Sequence, residues 1–148
     1  MRATSSVDLP VGQDAAAVWL VDLARYPQWM PMVHSVVPEK SGDAWSVELR
    51  AKVGPFARSK KLRMVRAADT TESGSRHIRF ERRETSASQH SPWTMDVRIT
   101  PSSSGCTVTI DLEYGGTLWT AGMLDKVLAA NIEEGRKGLL RAVSAPTH

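Results

Sequence analysis

The chain has 148 residues, enough for one domain with a real core and too few for two. Its 41% hydrophobic and 24% charged residues are ordinary for a soluble globular domain, and a net charge of +3 is too small to point to nucleic acid. Cys106 is the single cysteine, which excludes an internal disulfide and suits a reducing, cytoplasmic setting. The first ten residues lack the apolar stretch of a signal peptide, and the longest apolar run, Ala15–Val21, is far short of the ~20 residues that span a bilayer, so no stable membrane insertion is expected.

Ala3–Leu9 mixes β-branched and polar residues and stops at Pro10, which predicts a first strand. After a Pro10–Gly12 turn, Gln13–Arg25 reads as a helix. Asp14 is its candidate cap, three alanines favour it, and Val18, Trp19 and Val21 share a face. Tyr26–Pro27 ends it, since the residue before proline is pushed out of the helical region. Gln28–Val33 follows as a short apolar helical piece or loop.

From His34 the hydrophobic period falls to two. Ser35–Glu39 is a short strand. Trp45, Val47, Leu49, Ala51 and Val53 alternate with polar residues, as a half-buried strand does. Phe56–Ala67 is the next strand, with Leu62 and Met64 on one face, and Asp69–Ser75 reads as a polar loop. Strands around Ile78–Phe80, Trp93–Ile99 and Cys106–Tyr114 follow, with a turn at Pro101–Gly105. Gly115–Gly116 stops the sheet. Thr120–Val143 is the longest helix, with Leu124, Val127, Leu128, Asn131, Gly135, Gly138, Leu139 and Ala142 on one stripe. The order predicts an α+β domain over residues 1–148: an antiparallel sheet of about seven strands wrapped around the C-terminal helix, with two short helices after the first strand. Trp45, Leu62, Phe80, Met95, Ile110 and Leu128 should face one shared interior. Residues 26–33 and the Trp119 end of the last helix should border its opening.

Few residues carry an obvious chemistry. His34, His77, His90 and His148 have no metal-ligand partners at a useful spacing, and no nucleotide-binding or nucleophile motif is present, so neither metal nor cofactor is expected. Cys106, in an alternating strand, reads as a small buried hydrophobe. Arg58, Lys60, Lys61 and Arg63 read as a solvated strand face, with phosphates or a membrane surface as the alternative. Trp29, Trp45, Trp93 and Trp119 read first as core and second as pocket lining. The informative residues are polar ones in phase with apolar faces: Arg66 after Leu62 and Met64, Arg82 and Glu84 after Ile78 and Phe80, Tyr114 at a strand end, and Asn131 in the helix stripe. A charge facing the interior is costly unless paired or wetted, so together they suggest a cavity with a polar element. Gly135 and Gly138 remove side-chain volume beside Asn131, at ~1 kcal/mol each relative to alanine. A close backbone approach, an open space or a kink would explain that cost.

Val18–Trp19, Asp22 and Tyr26–Pro27–Gln28–Trp29, with Asn131 and Gly135 in the last helix, resemble the START-like or SRPBCC superfamily, which includes polyketide cyclase/dehydrase-like proteins. The resemblance implies a helix-grip fold over a deep, mostly apolar cavity. It also implies a cavity arginine of the aromatase/cyclase members, which falls at Arg66. The serine of those members falls at Met64 and the tyrosine near Val33, so two of the three polar groups are absent.

Three functions stand side by side. The first is binding of a hydrophobic small molecule, such as a lipid, isoprenoid or polyketide. Its contacts would be Trp29, Val33, Trp45, Leu62, Met64, Arg66, Phe80, Arg82, Trp93, Met95, Tyr114 and Asn131. The second is a cofactor-independent cyclase or dehydratase in the same cavity, with Arg66 stabilising an enolate. The third is an adaptor resembling the quinone-chaperone members, using residues 58–63. A monomer or weak homodimer is expected.

Overall fold

The computed structural model describes residues 2–53, 55–85, 90–115 and 121–144. Seven strands form one antiparallel sheet: β1 (Arg2–Leu9), β2 (Val33–Pro38), β3 (Ala44–Val53), β4 (Phe56–Glu72), β5 (Ser75–Arg82), β6 (Trp93–Ser102) and β7 (Gly105–Tyr114). They lie in the order β1-β7-β6-β5-β4-β3-β2. The helix α2 (Ala121–Ser144) packs on β1 and β3. The sheet thus curls around the helix in the expected α+β helix-grip arrangement.

The alternating residues of each strand set its inner face, and the pairing puts like with like. Leu62 is opposite Val47, Met95 lies between Phe80 and Leu112, and Val108 lies between Ile99 and Val7. Trp45, Leu62, Phe80 and Met95 are buried and Ile110 is half-buried against the same core. Of α2, Gly135, Gly138 and Leu139 are buried and Asn131 and Ala142 half-buried, which is the expected stripe. The side chains of Leu124, Val127 and Leu128, and all of Trp119, lie outside the described residues.

Three segments differ from the sequence reading, each for a tertiary reason. The helix expected over Gln13–Arg25 is two pieces, α1 (Gln13–Ala17) and a 3₁₀ helix over Leu23–Gln28. Gly12, not Asp14, occupies the cap position of α1. The break spans Val18–Asp22, and at its end partners from distant strands take over. Asp22 is extended, and its carboxylate accepts from Ala24 N at 2.9 Å and from Trp45 Nε1 at 3.1 Å. Arg66 Nη1 donates to the Val21 carbonyl at 2.8 Å.

The loop expected at Asp69–Ser75 is instead the end of β4 and a tight hairpin. A bulge between Arg66 and Ala68 shifts the pairing of β4 by one residue, so its alternation changes phase there. Ser73 (φ 51°) and Gly74 (φ 82°) then turn the chain, and two positive φ values in a two-residue loop match the twist of the flanking strands. The turn expected over Pro101–Gly105 is narrower, because Ser102 already pairs with Gly105.

The interior has a solid end and a hollow one. Leu9, Leu20, Ile78, Val97, Ile99 and Cys106 are almost wholly buried and make the solid end beside α1. Cys106 is one of these packed hydrophobes, and burial pushes its thiol pKa up. The outer face of the sheet is charged and internally paired. Asp96 bridges His77 (2.6 Å) and Arg79 (2.8 Å), and Glu81 bridges Arg79 (2.8 Å) and Arg83 (2.9 Å).

Candidate functional site: an apolar pocket under the C-terminal helix

The hollow end holds a pocket of about 100 Å³. Its floor is the inner face of the sheet: Ala3, Ser5 and Val7 of β1, Val108, Ile110 and Leu112 of β7, Trp93 and Met95 of β6, Leu62 and Met64 of β4, and Val47 and Leu49 of β3. Its cover comes from Tyr26, Trp29, Met30 and Met32 on one side and from Asn131, Ile132, Gly135 and Leu139 of α2 on the other. Register builds this floor, since Leu112 sits between Ala3 and Met95 and Ile110 sits between Ser5 and Val97.

Close backbone contact fixes the cover. A Cβ on Gly138 would collide with the Trp29 carbonyl oxygen, so α2 lies directly on that peptide. A Cβ on Gly135 would meet only Met30 Cγ at 3.8 Å and the Trp29 ring at 3.9 Å, and this glycine lines the pocket. Of the three explanations open for these glycines, close approach applies at Gly138 and open space at Gly135. The Tyr26 ring packs on Trp29 at 4.7 Å and on Phe80 at 6.1 Å.

Polar groups around the pocket are mostly committed elsewhere. Tyr26 Oη donates to the Leu20 carbonyl at 2.9 Å, and burial raises its pKa far above the ordinary tyrosine value. Trp29 Nε1 donates to the Trp19 carbonyl at 3.1 Å. Arg136, exposed at the rim, donates to the Ser6 carbonyl at 3.0 Å and to Glu133 at 3.3 Å. The buried Nε1 of Trp93 has no hydrogen-bond acceptor among the described residues.

The expected contact residues divide into two groups. Trp29, Val33, Leu62, Met64, Trp93, Met95 and Asn131 line the pocket, whereas Trp45, Arg66, Phe80, Arg82 and Tyr114 do not. Trp45 and Phe80 pack edge to face at 5.8 Å beside the pocket wall. Arg66 holds the Val21 carbonyl, with its guanidinium 5.8 Å from the Trp45 ring centroid. Arg82 binds Glu84 at 2.9 Å and the Ser91 carbonyl at 3.1 Å. Tyr114 stands beside Trp93, with ring centroids 5.3 Å apart. The polar residues in phase with the apolar faces therefore do not gather as one polar element of the cavity. Arg82 and Glu84 neutralise each other, and Arg66 serves a backbone carbonyl.

The basic run does not form one patch. Arg63 is bound to Glu39 at 2.7 Å, Lys60 reaches Ser91 at 3.3 Å, and Lys61 lies opposite Glu48. Among the described residues no three His, Cys, Asp or Glu side chains come together as a metal set. No described helix is long and apolar enough to cross a membrane.

Residues the sequence reading passed over include Ala3 and Ser5. The signal was there: small side chains at inward positions of a strand, where Val7 and Leu9 continue the same face, leave volume unfilled. Tyr26 and Met30, in the segment expected to border the opening, line the pocket as well.

The comparisons agree with this architecture. The model of the family described as polyketide cyclase / dehydrase and lipid transport matches residues 1–144. A search of curated proteins by sequence finds no match. Among solved structures, a START superfamily protein from Mycobacterium smegmatis is 14% identical, with 96% of each chain covered and a TM-score of 0.67. A STAR-related lipid transfer protein from Xanthomonas axonopodis is 14% identical over 97% of this chain and 86% of that one, with a TM-score of 0.70. An aromatase/cyclase from Streptomyces sp. R1128 is 15% identical over 97% and 93%, with a TM-score of 0.65. With the family pattern running through nearly the whole length and the helix-grip fold beneath it, this chain belongs to the polyketide cyclase/dehydrase and lipid-transport family.

Proposed function

We propose that the protein binds a small hydrophobic molecule in the pocket between the sheet and α2, with Trp29, Val33, Leu62, Met64, Trp93, Met95 and Asn131 among its contacts. The observation that carries this reading is the pocket itself, about 100 Å³ of apolar-walled space inside the fold. Unfilled volume costs stability, and a glycine within a helix costs ~1 kcal/mol relative to alanine. Gly135 on one side and the small Ala3 and Ser5 on the other keep space open, so the cost is spent where a ligand would sit.

Size narrows the ligand class. A dry cavity of about 150 Å³ accommodates a benzene ring. The pocket here is smaller, about 100 Å³, and open at the Arg136 rim, so it suits a short branched chain, or one ring seated partly in the opening, rather than a fused-ring system. Lipid transfer and aromatase/cyclase activity are named for two of the structural neighbours. Binding is favoured over catalysis because Arg66, the candidate catalytic group, is bound to the Val21 carbonyl and does not line the pocket. The adaptor reading loses support with the basic run split between Glu39 and Ser91. A cytoplasmic monomer or weak homodimer suits this role.

Native mass spectrometry of protein purified from its own host, beside an Ile110→Trp variant that fills the pocket, tests the reading. A co-purifying apolar molecule present in the wild type and missing from the folded variant is expected. Wild type that arrives empty and takes up ethylbenzene no better than the filled variant would sink it.

A further inference from the structure

Charge is spread unevenly along the chain. Residues 49–68 hold seven Lys and Arg and no Asp or Glu, so the other 128 residues carry a net charge of −4 against a total of +3. These residues make up most of the β3–β4 hairpin. Near its base the cations have partners. Arg63 binds Glu39, Arg66 the Val21 carbonyl and Lys60 the Ser91 hydroxyl, and Lys61 lies opposite Glu48. The turn end is different. β2 pairs with β3 no further than Val33 opposite Leu49, and β5 pairs with β4 no further than Arg82 opposite Met64. Past those pairs β3 and β4 run on together, from Leu49 opposite Lys60 to Val53 opposite Phe56. Arg50, Lys52 and Arg58 on this ribbon are exposed, and their side chains meet no hydrogen-bond or ion-pair partner among the described residues. Arg50 and Lys52 are in the outward phase of β3, and Arg58 is in phase with the inward Leu62 and Met64, so both faces of the ribbon are cationic. Protection of a sheet edge is served by charge of either sign, whereas here a single sign is present.

We infer that the turn end of the β3–β4 hairpin, through Arg50, Lys52 and Arg58, docks the protein on the surface of an anionic lipid bilayer. The choice of partner rests on the proposed binding function. Val47, Leu49 and Leu62 of the same hairpin line the pocket, and the cationic ribbon begins where Leu49 pairs with Lys60. A surface held by the ribbon therefore lies beside the pocket wall. A bilayer is both negatively charged at its surface and the phase in which small apolar molecules dissolve. A nucleic acid fits less well, since three unpartnered cations at one turn neutralise few phosphates and the rest of the chain is net negative.

Vesicle flotation tests this with the full chain, on phosphatidylcholine alone and on phosphatidylcholine mixed with phosphatidylglycerol. The protein should float with the mixed vesicles and not with phosphatidylcholine alone, and added salt should release it. A variant carrying Arg50→Gln, Lys52→Gln and Arg58→Gln should lose about a hundredfold in partition, at about fivefold for each cation near the surface. A control with the same charge change at exposed sites elsewhere, Lys40→Gln, Arg98→Gln and Lys137→Gln, should lose far less. Lipid and salt dependence of the wild type stand by themselves should the hairpin variant not fold. Equal flotation with both vesicle types overturns the inference, as does an equal loss in the control, which would mean that net charge rather than the hairpin drives binding. Tighter binding to a duplex RNA oligonucleotide than to the mixed vesicles, in the same salt, overturns it in favour of nucleic acid. Failure to float in protein that still takes up ethylbenzene overturns the docking surface and leaves the pocket reading intact.

Discussion

The Trp29 carbonyl oxygen occupies the space that a Cβ on Gly138 would need. This contact sets how far α2 stands from the 3₁₀ segment, and so how deep the pocket is. Gly138→Ala should therefore push the helix off that peptide and lower stability by about 1–3 kcal/mol, the usual cost of overpacking. Gly135→Ala, three residues earlier, meets only ordinary contacts. It should stabilise the helix by ~0.5–1 kcal/mol while shrinking the pocket. Urea melts of the two variants, with ethylbenzene titrations of Gly135→Ala, check both. Equal stability changes would show that the contact at Gly138 is slack.

Arg66→Met should remove the donor to the Val21 carbonyl and the contact with Trp45. A loss of about 1–2 kcal/mol is expected for a partly exposed charged hydrogen bond. Affinity for a pocket probe should stay unchanged, because Arg66 does not line the pocket. A stable variant with weakened binding would restore the arginine to the site.

Acid should weaken the fold through its surface carboxylates. The hydrogen bond from Arg76 holds Asp69 below the usual carboxylate range, those from Arg79 and then Arg83 do the same for Glu81, and those from the Thr4 hydroxyl and then Arg2 for Asp111. Each folded pKa lies below its unfolded value, so the unfolded chain binds more protons as the pH drops. The stabilisation is complete above about pH 4 and lost as pH falls through the folded values. Urea midpoints across that range should fall, and added salt should blunt the effect because these pairs are solvent-exposed.

Tyr26 acts at the opposite extreme. Burial keeps its hydroxyl neutral and raises its pKa, so its contribution is complete below about pH 10 and lost as pH rises from there towards the folded value. Tyr26→Phe should be less stable near neutrality by ~1 kcal/mol, since the Leu20 carbonyl loses its donor. The same variant should resist alkaline unfolding to a higher pH than wild type, as followed by circular dichroism. An unchanged alkaline midpoint would mean that Tyr26 does not control it.

Much of the fold was legible because it is written in local periods. The alternation through Trp45–Val53 and Cys106–Tyr114 fixed faces that the pairing then respected. What was not legible depends on partners far away in the chain. The end of the break, at Val21–Asp22, is held by Trp45 and Arg66, which no local pattern announces. The end of β4 was hidden because the bulge after Arg66 reverses the phase that an alternation reading follows. The apolar pocket residues Leu62, Met64 and Met95 were readable from phase alone. Arg66 and Arg82 were not, since an inward-phase arginine can reach a backbone carbonyl or a neighbouring carboxylate as easily as a cavity.

The strand order has a consequence for how the pocket comes into being. Of the pairings among the described strands, β2 through β7 join chain neighbours, and only β1 with β7 closes a long loop, from Arg2 opposite Glu113 to Leu9 opposite Cys106. Short-range hairpins form fast, whereas a contact across such a separation must first meet a large loop-closure entropy. Ala3, Ser5 and Val7 all sit on that last strand. The chain can thus assemble most of its sheet before the pocket has its final wall, and a ligand that favours the walled state would hold the two ends of the chain together.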